Sequence, residues 1–327
     1  MIRILGAGLA FIGRHGTAAL AVSIFIGVAL PALSATIRPY LSVSVFSLLT
    51  LAFLRIDAIE IRHRLRRPAL LIAALVWMML GTPLLTCGLI AVAGPQTLGP
   101  EIVLALFIAT AAPPVMAAPA FIYLLGLNGT LSLALSVGAL IVTPLSAPLI
   151  GKLMVGPTLP LSVGGLAVQL SLLLVGAFAV AVMLRRLAGK ERLVRSAHQI
   201  SGLNVLLLLV FAIAAMDGVA ASFAAQPLFT LALTGLTFVL ALVQILLTLL
   251  LFSPATREDA YAIAHTCGTR NMGLMVAALG GKLPELTWLW FALGQFPIYM
   301  LPMLLKPFVR VFCRQTVETG KTVTPNT

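Results

Sequence analysis

The chain has 327 residues, of which 61% are hydrophobic and only 9% charged. A soluble domain carries about 25% charged residues, so the composition excludes the ordinary soluble classes and points to many membrane segments. The formal net charge of +12 would suit nucleic-acid binding, but the basic residues lie in short clusters between apolar runs, where they serve as topology signals.

The runs are too long and too little alternated for a β-barrel, so helices are the expected spanning element. The first apolar stretch lacks the small-residue cleavage site of a signal peptide. Residues 1–14 are too few to cross and are expected to lie in the interface. Ten segments follow, over residues 15–35, 40–58, 68–93, 100–126, 129–154, 160–187, 197–216, 227–252, 258–280 and 285–311.

The basic clusters fall on one side of these ten: "RHRLRR" between segments 2 and 3, Arg185, Arg186, Lys190, Arg192 and Arg195 between 6 and 7, and Lys306, Arg310 and Arg314 near the end. The other side holds only Arg38, Lys152 and Lys282. Both termini are therefore expected in the cytoplasm, with residues 313–327 as a cytoplasmic tail. The expected location is a bacterial inner (plasma) membrane.

The chain divides near Gly156-Pro157. Five segments per half, over 15–156 and 157–312, give the halves opposite orientations, the layout of an inverted-repeat transporter. The expected fold is an all-α membrane protein of ten transmembrane helices, with discontinuous segments 4 and 9 crossing near the midplane.

Segment 4 contains "AAPPVMAAPAF" over residues 111–121, with Pro113, Pro114 and Pro119 near mid-membrane. Each proline removes an N–H and crowds the carbonyl four residues back, here those of Ala109, Thr110 and Val115. Backbone freed in this way must line a cavity or pack against protein. Segment 9 contains "TCGTRNMG" over 266–273, with Gly268, Asn271 and Gly273 loosening the helix. Matching interruptions in two halves mark a midplane binding site, and the helix starting after a break attracts anions.

Arg270 lies twelve residues beyond Glu258, which puts it about 18 Å deep, near the centre of the bilayer. A bare guanidinium there costs at least about 3 kcal/mol. All nine acids lie in loops or at segment ends. The favoured completion is that the ligand supplies the anion; the alternative is that Arg270 bonds the carbonyls freed by the breaks. His265 is either a proton carrier or, as favoured here, a neutral ring bonded to a backbone carbonyl. Ser132, Ser136 and Thr143 recur along segment 5, as site hydroxyls or as groups bonded to their own helix. Gln169, Asn204, Gln244 and Gln295 read as interhelical bonds. Trp77, Phe121, Tyr123, Met272 and Met275 are candidates for an apolar pocket wall or for ordinary packing. Cys87, Cys267 and Cys313 have no disulfide or metal spacing, and Cys267 reads as a small apolar filler.

The stretch over residues 113–148, from "PPVMAAPAF" through "GLNGTLS" to "TPLSAP", and "GTRNMGLMVAAL" in segment 9 resemble the bile acid:sodium symporter family of the bile/arsenite/riboflavin transporter superfamily. The resemblance implies ten helices in two inverted five-helix repeats. It also implies a divergent member. By position, the family's segment 9 glutamate and glutamine become Thr266 and Arg270, and its segment 4 Ser-Asn pair becomes Ala118-Pro119. The segment 5 hydroxyls survive as Ser132 and Ser136, and the segment 9 asparagine as Asn271. A sodium site beside a guanidinium is electrostatically poor, so sodium coupling of the family's kind is expected to be lost.

The expected function is secondary transport of a small organic anion, a carboxylate or sulfate, by alternating access. The alternatives are a sodium-coupled symporter with displaced ion ligands and a non-transporting sensor or scaffold. The expected substrate site comprises Arg270, Asn271, His265, Thr266, Thr269, Pro113, Ala118, Pro119, Ser132 and Ser136. No metal or cofactor is expected, and no nucleic acid; a coupling proton or counter-anion stays open. An intramembrane enzyme is not expected, since no zinc-protease or serine-hydrolase motif and no mid-membrane acid pair is present.

Overall fold

The structure is a computed structural model that describes residues 16–56, 68–281 and 283–319. The expected interfacial segment, the "RHRLRR" cluster, Lys282 and residues 320–327 of the tail lie outside these. All regular elements among the described residues are helical, apart from one isolated β-bridge.

Six runs are long and apolar enough to cross a membrane: Pro31–Arg55, Pro68–Ala93, Thr130–Met154, Val163–Ala188, Ala197–Ala225 and Pro227–Leu251. Glu285–Leu304 and Lys306–Cys313, which meet at a 46° bend, make a seventh if the pair counts as one span. Their outer faces carry large apolar side chains such as Leu172, Val175 and Phe178, which lipid accommodates and water does not. The chain is that of a multi-pass membrane protein.

Segment 1 departs from its expected limits. Its helix, Gly16–Ala29, stops before Pro31, and Pro31–Ile37 joins segment 2 instead. Proline at the first helical turn starts a helix well and continues one badly. In segment 3 the helix Pro68–Val76 passes through a π-turn, Trp77–Gly81, into Thr82–Ala93. A Cβ on Gly81 would lie 2.5 Å from the Trp77 ring, so only glycine lets the indole fold back there. The wider turn also spares a backbone bond that Pro83 could not have made.

Segments 4 and 9 are interrupted where expected. Segment 4 runs Pro100–Ala111, unwinds, and resumes as Ala118–Leu124; segment 9 runs Arg257–Gly268 and resumes as Met272–Ala278. Side-chain caps start both parts of segment 9: Thr256 accepts from the Asp259 N–H, and Asn271 from the Leu274 N–H at 3.2 Å.

The helices fall into two sets that we call bundles. In the first, segment 7 packs on segments 1 and 2, and segment 2 on segment 6; in the second, segments 3, 4, 5, 8, 9 and 10 pack together. The two sets also meet directly, along Thr130–Met154 against Val163–Ala188 and where Gly16–Ala29 touches Gln295–Leu304. Between the bundles, Met272–Ala278 rests on Leu41–Arg55 and on Val163–Ala188. Glycine permits that approach: a Cβ on Gly273 would lie 2.7 Å from the Phe211 ring.

Candidate functional site

The unwound stretches of segments 4 and 9 lie antiparallel, with Pro114 paired to Arg270. The Val115 N–H donates to the Thr269 carbonyl at 2.9 Å, and the Asn271 N–H to the Pro113 carbonyl at 2.7 Å. Two broken helices thus repair each other's backbone with a fragment of β-ladder, which removes much of the cost of unpaired polar groups in an apolar interior.

Arg270 sits in this crossing, 3% exposed. Its Nε donates to Gln244 Oε1 at 3.1 Å, its Nη1 to the Ala112 carbonyl at 3.1 Å, and its Nη2 to Thr82 Oγ1 at 2.7 Å and Cys267 Sγ at 3.3 Å. None of the four partners is a carboxylate. They come from segments 3, 4, 8 and 9, so the guanidinium ties four helices of the second bundle together. Nη1 keeps one N–H without an acceptor among the described residues. The bond to Ala112 is the kind of contact expected if Arg270 serves the broken backbone, although the carbonyl is not one of the three anticipated.

Thr82 and Gln244 were not foreseen as partners of Arg270. Thr82 follows the π-turn of segment 3, and its hydroxyl also donates to the Met78 carbonyl at 3.1 Å. Gln244 makes an interhelical bond, as expected, but to a charge. Cys267 is more than filler, since its sulfur accepts from Arg270. The single amide side chain of segment 8 was the available signal; nothing in the sequence pairs it with segment 9.

A cavity of about 340 Å³ opens against the crossing, between the bundles. Arg270, Asn271, Met272 and Gly273 line it, with Val115–Ala117, Pro119–Phe121 and Tyr123 from segment 4, and Gln295, Ile298 and Tyr299 from segment 10. The first bundle contributes Val45, Leu48, Leu49, Ala52 and Arg55 from segment 2, and Asn204, Leu208 and Phe211 from segment 7. The walls are largely apolar with a few polar groups, as in small-molecule sites. Of the expected site, Arg270, Asn271 and Pro119 line the cavity. Phe121, Tyr123 and Met272 are in the wall as anticipated; Trp77 and Met275 are not. Arg55, Asn204, Phe211, Gln295 and Tyr299 were not foreseen there, because nothing along the chain aligns segments 2, 7 and 10 in depth.

The other expected site residues lie behind the wall. Pro113 and Thr269 supply backbone carbonyls to the crossing, and Thr269 Oγ1 donates to the His265 carbonyl at 2.9 Å. Ala118 is fully buried. Thr266 Oγ1 meets Ser132 Oγ at 2.7 Å and joins segments 5 and 9, at the positions where the resemblance implies a sodium ligand set. Thr143 bonds the carbonyl of Ala139 within its own helix.

His265 departs from the favoured reading. The ring is fully buried, and neither nitrogen finds a partner among the described residues. It stacks on Tyr261 at 5.8 Å and meets the edge of Phe121 at 6.1 Å. Aromatic packing rather than a carbonyl bond holds it. Ser136 Oγ and the Tyr261 hydroxyl are likewise buried without partners among the described residues. No group of three or more metal-ligating side chains occurs among the described residues.

Compared with known proteins, the chain matches no family model and no curated protein.

Proposed function

We propose that this protein is a secondary transporter of a small organic anion, of carboxylate or sulfate type, that works by alternating access. The observation that carries the reading is the cavity between two helical bundles, set against a crossing of two interrupted helices that contains a buried, charge-unpaired arginine. Interrupted helices at a shared site are the construction of transporters built from inverted repeats. We count segments 1, 4 and 9 as spans alongside the seven longer runs, giving ten in two halves of opposite orientation. The basic clusters then put both termini in the cytoplasm, and the cavity, reaching Arg55 at the end of segment 2, faces inward.

The reading takes the chain as a divergent member of the bile acid:sodium symporter family on the sequence resemblance alone. The guanidinium supplies fixed positive charge beside the cavity, and a buried charge acts on an anion across a low-dielectric path. The Thr266–Ser132 bond carries no charge, which supports a cycle without sodium coupling of the family's kind.

The test is a panel of carboxylates and organic sulfates added to the purified protein, with melting temperature measured in sodium and in potassium. Stabilisation by an anion, equal in both salts, is expected. Stabilisation in sodium alone would point to sodium ligands elsewhere and favour the sodium-coupled alternative, and no response in either salt would favour a structural role for Arg270 and leave the substrate unassigned. Uptake of the stabilising anion into proteoliposomes then separates transport from binding.

A further inference from the structure

At the end opposite the cavity mouth, the two bundles are held by a cluster of a different chemistry. Arg38 Nη1 donates to Asp217 Oδ2 at 2.8 Å, and the Arg38 guanidinium lies 4.0 Å from the centre of the Trp288 ring. Trp288 Nε1 donates to the Asp217 carbonyl at 2.9 Å. Arg38 and Asp217 belong to the first bundle and Trp288 to the second, so the two Trp288 contacts bridge the bundles. The ion pair stays within reach of solvent, with side chains 40% and 18% exposed.

Three helices give the same order of layers. In segment 2, Arg55 is at the cavity and Arg38 lies seventeen residues away, about 26 Å along a helix. Along segment 7 the cavity-lining residues Asn204, Leu208 and Phe211 lead to Asp217, and along segment 10 Tyr299, Ile298 and Gln295 lead back to Phe291 and Trp288. Between cavity and cluster stands a column of rings: Phe211 in the cavity wall meets Phe291 at 6.2 Å, and Phe291 meets Trp288 at 5.4 Å. All three rings are buried.

We propose that Arg38, Asp217 and Trp288 form a clasp that holds this end shut over a plug of Phe211 and Phe291, and that the clasp parts when the cavity opens to the other side. A cation–π contact and a single hydrogen bond suit this role because water replaces both at modest cost when the bundles separate, while the ion pair inside the first bundle holds Arg38 under the ring and the plug excludes water while the bundles are joined. The proposal rests on the two-bundle transport reading. Its test uses no substrate, so its failure is separate from a failure of anion binding.

Ala215 is fully buried, one helical turn beyond Phe211 on the same face, and reports on the sealed layer. The experiment places Ala215→Cys in a protein carrying Cys87→Ser and Cys313→Ser, with the buried Cys267 kept. The rate of labelling by a water-soluble maleimide is measured in lipid nanodiscs, with and without Arg38→Gln plus Trp288→Phe. A parallel probe, Ala139→Cys, sits buried inside the second bundle. The expected result is a rise of about tenfold at Ala215→Cys, the population shift from losing the cation–π contact and the hydrogen bond that join the bundles, with Ala139→Cys unchanged. No rise in a variant that melts normally overturns the proposal, and so does an equal rise at both probes, which would mean general loosening. Asp217→Asn, which keeps the shape and the backbone carbonyl that Trp288 uses, carries the same test where the double variant does not accumulate.

Discussion

At the scale of single residues, Arg270 is held by four side-chain hydrogen bonds. Its bonds to Gln244, Ala112 and Thr82 are charge-assisted, worth about 1.5–3 kcal/mol each when both partners are buried. Arg270→Gln removes the charge and most of these bonds and leaves buried acceptors behind. We expect a loss of about 2–4 kcal/mol of stability, read as a lower melting temperature in detergent. Arg270→Lys is expected to fall between, because an ammonium keeps the charge but cannot present the planar fork that reaches three directions at once. Thr82→Val should cost about 1–2 kcal/mol through the orphaned Nη2 hydrogen. A variant Arg270→Gln as stable as the parent would show that the bonds contribute nothing net and would leave the charge as the residue's only role.

At the scale of elements, the interruptions of segments 4 and 9 were legible because proline and glycine act locally. The adjacent Pro113 and Pro114 interrupt segment 4, Pro119 suits the first turn of the helix that resumes it, and the polar run around Arg270 marks its counterpart. Local rules likewise explain the one boundary misjudged badly, since Pro31 opens the helix that feeds segment 2 rather than lying inside segment 1. Illegible were the π-turn that brings Thr82 beside Arg270 and the depth alignment of segments 2, 7 and 10 around the cavity. Both depend on which helix packs on which. The unpaired ring of His265 was missed for the same reason, because Phe121 meets it from another segment.

Close helix contacts at glycine give a prediction at this scale. A Cβ on Gly268 would meet Ile245 Cγ1 at 2.4 Å and the Ala241 carbonyl at 3.1 Å, within the second bundle. One on Gly273 would meet only the Phe211 ring and Val45, across the bundle interface. Overpacking of this kind costs about 1–3 kcal/mol. Gly268→Ala is expected at the upper end because a backbone carbonyl cannot step aside. Gly273→Ala is expected at the lower end in melting temperature, and, on the transport proposal, to slow uptake into proteoliposomes by wedging the two helix sets apart. Equal melting losses for the two would contradict the distinction.

At the scale of the whole molecule, the count of spans is decided by whether the interrupted segments cross. Gln96 lies before segment 4 and Asn128 after it, and both are exposed. Ten spans place Gln96→Cys outside and Asn128→Cys in the cytoplasm. An impermeant maleimide applied to intact cells should label the first and spare the second until the cells are opened. Labelling of both from one side would make segment 4 a re-entrant loop and remove the symmetry of the halves.

The guanidinium of Arg270 is joined to the chain by covalent bonds, and that changes what can drive the cycle proposed above. An ion that binds and leaves draws work from its own gradient. A cation fixed to the backbone stays in place through every turnover and draws none. If the proposed cycle couples no proton or counter-anion, the cargo's negative charge is the only net charge that crosses. An inside-negative membrane favours its outward passage by about 2.3 kcal/mol per charge for each 100 mV. On that reading an uncoupled carrier would run as an electrogenic exporter of its anion until concentration balanced voltage.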